Sequence, residues 1–366
     1  MIGLRYQLQR ASFSLDVDVE LPMRGITGLF GVSGAGKTTL LRCVAGLEQA
    51  TTGKLTVAGD VWEDTDTGVS RPVQQRNIGY VFQEPRLFDH LSVRSNIEYG
   101  DKRRKHNGGA SFEHVIELLG LGPLLSREPA QLSGGEAQRV AIARALLCSP
   151  EFVLMDEPLA SLDQARRSEI LPFLDRLHAA SEIPIIYVSH NIDEICRLCD
   201  HLVVIDDGRV KANGELQDVL VRLDVPSLDG DHAGSVIEGQ AADYDERDDL
   251  TRLEFSGGDL WVPGEAGRGG SPLRLRIRAS DVSLCRDRPE HSTILNVLPA
   301  CVEAIHVEDG PSTLVRLVVG EDRILARITK RSIRELKLQP GEQLFAQIKS
   351  VAVRSGAAGR QLVATD

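Results

Sequence analysis

Eight consecutive residues, Gly31-Val32-Ser33-Gly34-Ala35-Gly36-Lys37-Thr38, set three glycines ahead of a lysine and a hydroxyl. Glycines let a backbone curl until successive N–H groups converge. A helix starting at that point adds the partial positive charge of its N-terminus, so the loop is a cradle for phosphates. Lys37 would meet the terminal phosphates of a nucleotide, and the Thr38 hydroxyl would ligate magnesium. Further along, Asp156 ends the apolar run Phe152-Val-Leu-Met, and Glu157 follows it. A carboxylate at the C-terminal edge of a buried strand can anchor the same magnesium, while its neighbour orients or deprotonates an attacking water. Between these lies Leu132-Ser133-Gly134-Gly135-Glu136, where Ser133 is a good N-cap and the glycines permit close approach. It reads as a second anion-binding helix start.

The surrounding elements must hold these groups in place. Phe13, Leu15, Val17, Val19 and Leu21 alternate with Ser14, Asp16, Asp18 and Glu20, the pattern of a strand with one wet face. From Thr38 to Leu47 the apolar positions shift to helical spacing, giving strand, glycine-rich turn and helix in order. Helices are predicted at 112–119, 136–147 and 164–180, with short apolar strands at 152–155 and 184–188. Such alternation implies a parallel sheet covered on both faces. Residues 101–109 read as a solvated polar loop. After about Leu228 the character changes. Asp229 to Asp249 is rich in Asp, Gly and Ala, and short strands are predicted at 273–277, 300–305, 313–319, 323–328 and 344–353. These suit a small barrel or sandwich. The expected organisation is an α/β nucleotide-binding domain at 1–228, a linker and first β segment at 229–290, and a small all-β domain at 291–354.

The 366 residues carry 42 Lys plus Arg against 53 Asp plus Glu, a net charge of −11. That balance disfavours nucleic acid as a partner. No apolar run approaches the roughly 20 residues that cross a bilayer, and no export signal is expected at the N-terminus. Six scattered cysteines suit a reducing compartment, hence the cytoplasm. Cys196-x-x-Cys199 has zinc- or redox-like spacing, but no second pair lies nearby and the segment Ile192 to Leu198 reads as helix, so the pair reads as buried.

Leu132-Ser133-Gly134-Gly135-Glu136 resembles the signature motif of the nucleotide-binding subunits of ABC transporters. With Gly31–Thr38 and Asp156-Glu157 in order around it, the resemblance covers roughly residues 1 to 225. It implies an α/β P-loop ABC cassette with a helical signature subdomain, acting as an ATPase with ATP and Mg2+. Thr39 then joins Gly31–Thr38 in the nucleotide site. Gln83 in Tyr-Val-Phe-Gln is similar to the glutamine loop that senses magnesium and touches the membrane partner. Asp163 in Ser161-Leu162-Asp163 is similar to the loop running along the dimer contact, and His190 in Val-Ser-His to the switch histidine at the γ-phosphate. Alone, Gln83 would be a polar residue ending a strand and His190 a structural histidine. The implied catalytic residues are Lys37, Gln83, Glu157 and His190, with Thr38, Gln83 and Asp156 on the metal. Tyr6 and Phe13 are both open as the aromatic that stacks on adenine. In the family the two phosphate-facing helix starts of one chain lie too far apart to grip one nucleotide. A head-to-tail homodimer is therefore implied, with Gly31–Thr38 of one copy and Ser133, Gly134 and Gly135 of the other on each ATP.

The tail carries its own resemblance. Arg276 to Leu284 is similar to a strand of the C-terminal regulatory domains of ABC importer ATPases. Residues 291–354 resemble the small oxyanion-binding, OB-like (TOBE/Mop-like) domain of molybdate importers. Its anchors are Thr293-Ile-Leu-Asn296 and Gln347-Ile-Lys349-Ser350-Val, making Thr293, Asn296, Lys349 and Ser350 oxyanion candidates. A tetrahedral dianion wants several neutral donors and one or two cations. Leu295 stands where the family often has Arg, which removes a cation. Gly79-Tyr-Val-Phe-Gln, Arg86-Leu-Phe and Asp156-Glu-Pro-Leu-Ala-Ser-Leu-Asp are also close to the molybdate subgroup. The implied protein is the ATPase of a molybdate importer that also accepts tungstate. It would sit peripherally on the cytoplasmic face of the inner membrane, docked on permease subunits fed by a periplasmic molybdate-binding protein. Competing readings are an ATPase for sulfate or ferric iron, a soluble ABC protein of repair or translation, and an anion-storage protein. The last leaves the catalytic set unexplained.

Overall fold

The computed structural model describes residues 1–10, 13–103, 110–267, 269–308, 310–349 and 354–357. Ser350 and most of the polar 101–109 segment lie outside them. The chain forms two compact units, Met1–Gly214 and Glu215–Asp366.

The first unit is built on an 11-stranded sheet. Its parallel part runs, in spatial order, His201–Asp206, Ile26–Phe30, Ile185–Ser189, Phe152–Asp156 and Ile78–Val81. Ile26–Phe30, Phe152–Asp156 and Ile185–Ser189 are buried at every position. Strands covered on both faces need such continuous apolar runs. At the other side Ile2–Arg10 pairs antiparallel with Phe13–Leu21 and Thr52–Val57, and burial alternates along both partners. The helices Lys37–Ala45, Val93–Asp101, Phe112–Leu118, Gly134–Leu147, Gln164–Ala180 and Ile192–Leu198 complete the unit. Cys196 and Cys199 are both buried. Among the described residues, no helix is long and apolar enough to cross a membrane.

The second unit holds two five-stranded sheets. One orders Gly258–Pro263, Leu250–Phe255, Gly234–Asp245, Pro272–Arg278 and Arg354–Ala357; the other orders Val282–Cys285, Gln343–Ile348, Asn296–Val307, Ser312–Val319 and Asp322–Thr329. Neighbouring strands are antiparallel throughout. Leu253, Leu260 and Leu275 from the first sheet share an apolar core with Leu298, Leu317 and Ile348 from the second. The short helix Leu216–Leu220 falls in this unit.

Candidate active site

The strand Ile26–Phe30 delivers the chain to Gly31, which packs so closely that a Cβ would lie 2.1 Å from the carbonyl oxygen of Ile205. Gly34 and Gly36 take φ of 85° and 100°, and Gly36 N-caps the helix Lys37–Ala45 from that left-handed conformation. Only glycine turns this way at little cost. Lys37 is 4% exposed, and its Nζ donates to the carbonyls of Gly31 at 2.7 Å and Val32 at 2.9 Å. Burial pushes its pKa down, while Glu157 and Asp156 pull it back up. A cleft of about 330 Å3 opens beside the loop, with Phe13, Ser33, Lys37, Thr38, Thr39 and Glu157 in its walls. Tyr6, the other candidate for adenine, is 0% exposed, and its hydroxyl donates to Glu63 at 3.2 Å. Of the two aromatics, Phe13 borders the cleft.

Asp156 ends its strand with both carboxylate oxygens engaged. Oδ1 accepts from the Thr38 hydroxyl at 2.9 Å and Oδ2 from the Tyr80 hydroxyl at 3.2 Å. Burial raises the Asp156 pKa against the pull of these two hydrogen bonds. Glu157 sits at φ 46°, a left-handed conformation that costs a non-glycine residue about 1–3 kcal/mol and concentrates at functional sites. Its N–H donates to Val188 at 3.1 Å. Because Phe152–Asp156 and Ile185–Ser189 are adjacent parallel strands, the residues just past their ends become neighbours. Nδ1 of His190 accordingly lies 3.0 Å from Oε2 of Glu157.

Ser133 and Glu136 form a reciprocal cap on the helix Gly134–Leu147. The Ser133 hydroxyl accepts from the Glu136 N–H at 3.3 Å, and the Glu136 carboxylate accepts from the Ser133 N–H at 2.7 Å. The second bond holds the Glu136 pKa below its ordinary value. A Cβ on Gly134 would lie 3.0 Å from Leu162, and one on Gly135 3.2 Å from Ile170, so both glycines permit tight packing. Asp163 is exposed and N-caps the helix Gln164–Ala180, accepting from the Arg166 N–H at 2.9 Å. Gln83 is exposed in the segment after Ile78–Val81. The structure thus gathers Lys37, Thr38, Asp156, Glu157 and His190. Among the described residues, the walls of the cleft include none of Ser133, Gly134, Gly135, Gln83 and Asp163.

Two contacts escape sequence reasoning. Tyr80 reaches Asp156 from 76 residues away, and the buried Gln138 donates to the Phe82 carbonyl at 3.2 Å, tying the signature helix to the segment carrying Gln83. Tyr80 stands in the very Tyr-Val-Phe-Gln run that marks Gln83, yet nothing local assigns its hydroxyl a partner.

Residues 15–160 match the ABC transporter family and residues 292–354 the TOBE domain. Molybdenum import ATP-binding protein ModC 1 of Azotobacter vinelandii is 52% identical over 354 residues, spanning 96% of this chain and 98% of that protein. Molybdenum import ATP-binding protein ModC of Methylococcus capsulatus is 50% identical over 353 residues, spanning 96% and 99%. The chain belongs to the ABC transporter ATP-binding proteins. Among solved structures, cbiO1 of Clostridium perfringens, part of an ABC transporter complex, is 24% identical with a TM-score of 0.50 over 60% of this chain and 90% of that one. That likeness supports the fold. As an ABC ATPase the chain binds nucleotide and hydrolyses ATP.

In the TOBE segment of this ABC ATPase the two runs that carry the oxyanion candidates meet where Asn296 pairs with Ile348 on adjacent antiparallel strands. Thr293 and Lys349 are exposed, as is Leu295 at 55%. Asn296 is 1% exposed, and its amide brackets the backbone of Trp261. Oδ1 accepts from the Trp261 N–H at 2.7 Å and Nδ2 donates to the Trp261 carbonyl at 3.1 Å. Both ends of the Asn296 amide thus serve the Trp261 backbone, which is what the structure adds to its place among the oxyanion candidates. A buried amide that satisfies a neighbouring strand's backbone is costly to withdraw.

Proposed function

We propose that this ABC ATPase is the energy-coupling subunit of an importer of molybdate, which also accepts tungstate. The observation that carries the reading is the match of a catalytic cassette and a TOBE segment in one chain to molybdenum import ATP-binding proteins over nearly their full length.

The residues divide the work as follows. Lys37, now hydrogen-bonded to its own loop, exchanges the Gly31 and Val32 carbonyls for the β- and γ-phosphates of ATP. The Thr38 hydroxyl and the Asp156 carboxylate, 2.9 Å apart, are the hard oxygen donors magnesium favours, and Gln83 would join them. Magnesium supplies charge neutralisation at the phosphates. Glu157 orients the attacking water, His190 beside it holds the γ-phosphate, and Phe13 stacks on adenine. Ser133, Gly134 and Gly135 of a second copy close over the nucleotide, with Asp163 along the dimer contact. ATP thus joins a homodimer, and hydrolysis opens it. The pair docks on permease subunits at the cytoplasmic face of the inner membrane and is served indirectly by a periplasmic molybdate-binding protein. Thr293, Lys349 and Ser350 remain as anion donors of the TOBE segment.

Uptake of labelled molybdate in cells lacking this chain tests the reading. Uptake is lost, and it returns with the wild-type copy. Normal molybdate uptake in the deleted strain, or loss of sulfate uptake in its place, overturns the assignment.

A further inference from the structure

An ion pair between a half-buried arginine and a buried carboxylate lies behind the hydrolytic residues, on side chains that bind no nucleotide. Arg167, in the helix Gln164–Ala180, donates its Nε to the carbonyls of Leu159 at 3.1 Å and Leu162 at 2.9 Å, and its Nη2 to that of Ala160 at 3.3 Å. One guanidinium therefore gathers the carbonyls of the turn that follows Glu157. Its Nη1 pairs with Oε1 of Glu194 at 3.6 Å. Glu194, in the helix Ile192–Leu198, is 5% exposed. Its Oε2 accepts from the hydroxyls of Tyr187 at 3.0 Å and Ser189 at 2.9 Å, and the Ser189 hydroxyl accepts in turn from the Asn191 N–H at 3.0 Å. His190 is the residue enclosed by that last bond. The same turn carries Leu162, against which Gly134 packs at the start of the signature helix.

Burying a carboxylate is expensive, and a buried ion pair seldom gains stability over a well-packed apolar substitute; what it can do is specify one arrangement. Arginine suits the task, since its planar fork engages several oxygens in a fixed geometry that lysine cannot reproduce.

We propose that Arg167 and Glu194 are positioning residues for ATP hydrolysis, locking the 159–162 turn and the segment carrying His190 into one arrangement around Glu157. The proposal rests on the assignment of Glu157 and His190 above. Neither residue touches the reacting atoms. Glu194 holds the Ser189 hydroxyl that in turn accepts from the Asn191 N–H across His190, Arg167 holds the carbonyls of the turn leaving Glu157, and the ion pair makes the two segments one unit.

The test uses the full chain with Glu194→Gln, Arg167→Lys, Arg167→Gln and the Glu194→Gln/Arg167→Gln double variant. Phosphate release, nucleotide affinity and thermal midpoint are measured on each. Glu194→Gln keeps the acceptor for Tyr187 and Ser189 and changes the charge. A misplacement of about 1 Å costs up to about 100-fold in rate, so kcat falls about tenfold or more. Nucleotide affinity stays within about twofold, because the phosphate loop is untouched. The double variant is no slower than the slower single variant, as for two groups acting as one unit. Arg167→Lys retains the charge without the fork and stays slow. Should Glu194→Gln fail to fold, Arg167→Lys carries the same comparison. Parent-like kcat in folded variants, losses of kcat and affinity in equal measure, or additive losses in the double variant each overturn the proposal. Glu157→Gln serves as the control. If it is inactive while the pair variants turn over normally, only the positioning role fails; if it hydrolyses ATP at the parent rate, the assignment of Glu157 fails first.

Discussion

At the phosphate loop the groups that face an anion belong mainly to the backbone, and their directions follow from Gly34 and Gly36 in left-handed conformations and Gly31 pressed against Ile205. In the TOBE segment the expected donors are side chains. Thr293 and Lys349 stand exposed, and Asn296 is already committed to Trp261. In the first site the single chain already carries the shaped loop, with Lys37 held on the carbonyls of Gly31 and Val32. The second relies on side chains from two separate runs of the chain. A backbone cradle is assembled by folding one segment, whereas a side-chain cradle needs several segments to converge.

Gly31→Ala strikes hardest at this contrast, because the new methyl group meets the backbone oxygen of Ile205 at 2.1 Å, where no flexible side chain can yield. Overpacking of this kind costs about 1–3 kcal/mol of stability. The displaced loop lowers nucleotide affinity by about tenfold or more, each tenfold being 1.4 kcal/mol. Titration with a fluorescent nucleotide checks this, and parent-like binding would mean that the loop is not held by close packing.

Asn296→Ala comes next. It strands the half-buried Trp261 N–H and carbonyl, at about 1–3 kcal/mol. Thr293→Ala, at an exposed position, stays within about 0.5 kcal/mol of the parent. Denaturant midpoints of the two variants separate a structural amide from a surface hydroxyl. Equal midpoints would leave Asn296 as an anion candidate with no structural role.

The smallest effect concerns the signature helix, whose Glu136 is an internal anion for the Ser133 N–H. Its folded pKa lies below the ordinary 4.5, so the cap contributes stability that is present above that value and fades as pH falls through the lowered one. Glu136→Gln is expected to lower stability by about 0.5–1 kcal/mol near neutral pH. The gap to the parent then closes as pH falls below the ordinary 4.5 and through the lowered value, as the linkage requires. A gap independent of pH would place the capping energy in the neutral hydrogen bond instead.

What the amino-acid sequence determined by itself is local. The turn at Gly31–Thr38 follows from glycine's tolerance of positive φ, the helix at Gly134–Leu147 from the Ser133 and Glu136 cap, and the buried parallel strands from their uninterrupted apolar runs. The carboxylates Asp156 and Glu157 were legible because a strand end is marked by where its apolar run stops. Tertiary structure alone decided which aromatic borders the cleft, putting Tyr6 in the core and leaving Phe13 at the loop. It also decided that Tyr80 meets Asp156, that Arg167 meets Glu194, and that Asn296 serves Trp261. Hydrophobic periodicity tells which face of an element turns inward, but the neighbour it meets there depends on strand order and register, and those are fixed only when distant segments compete for the same core.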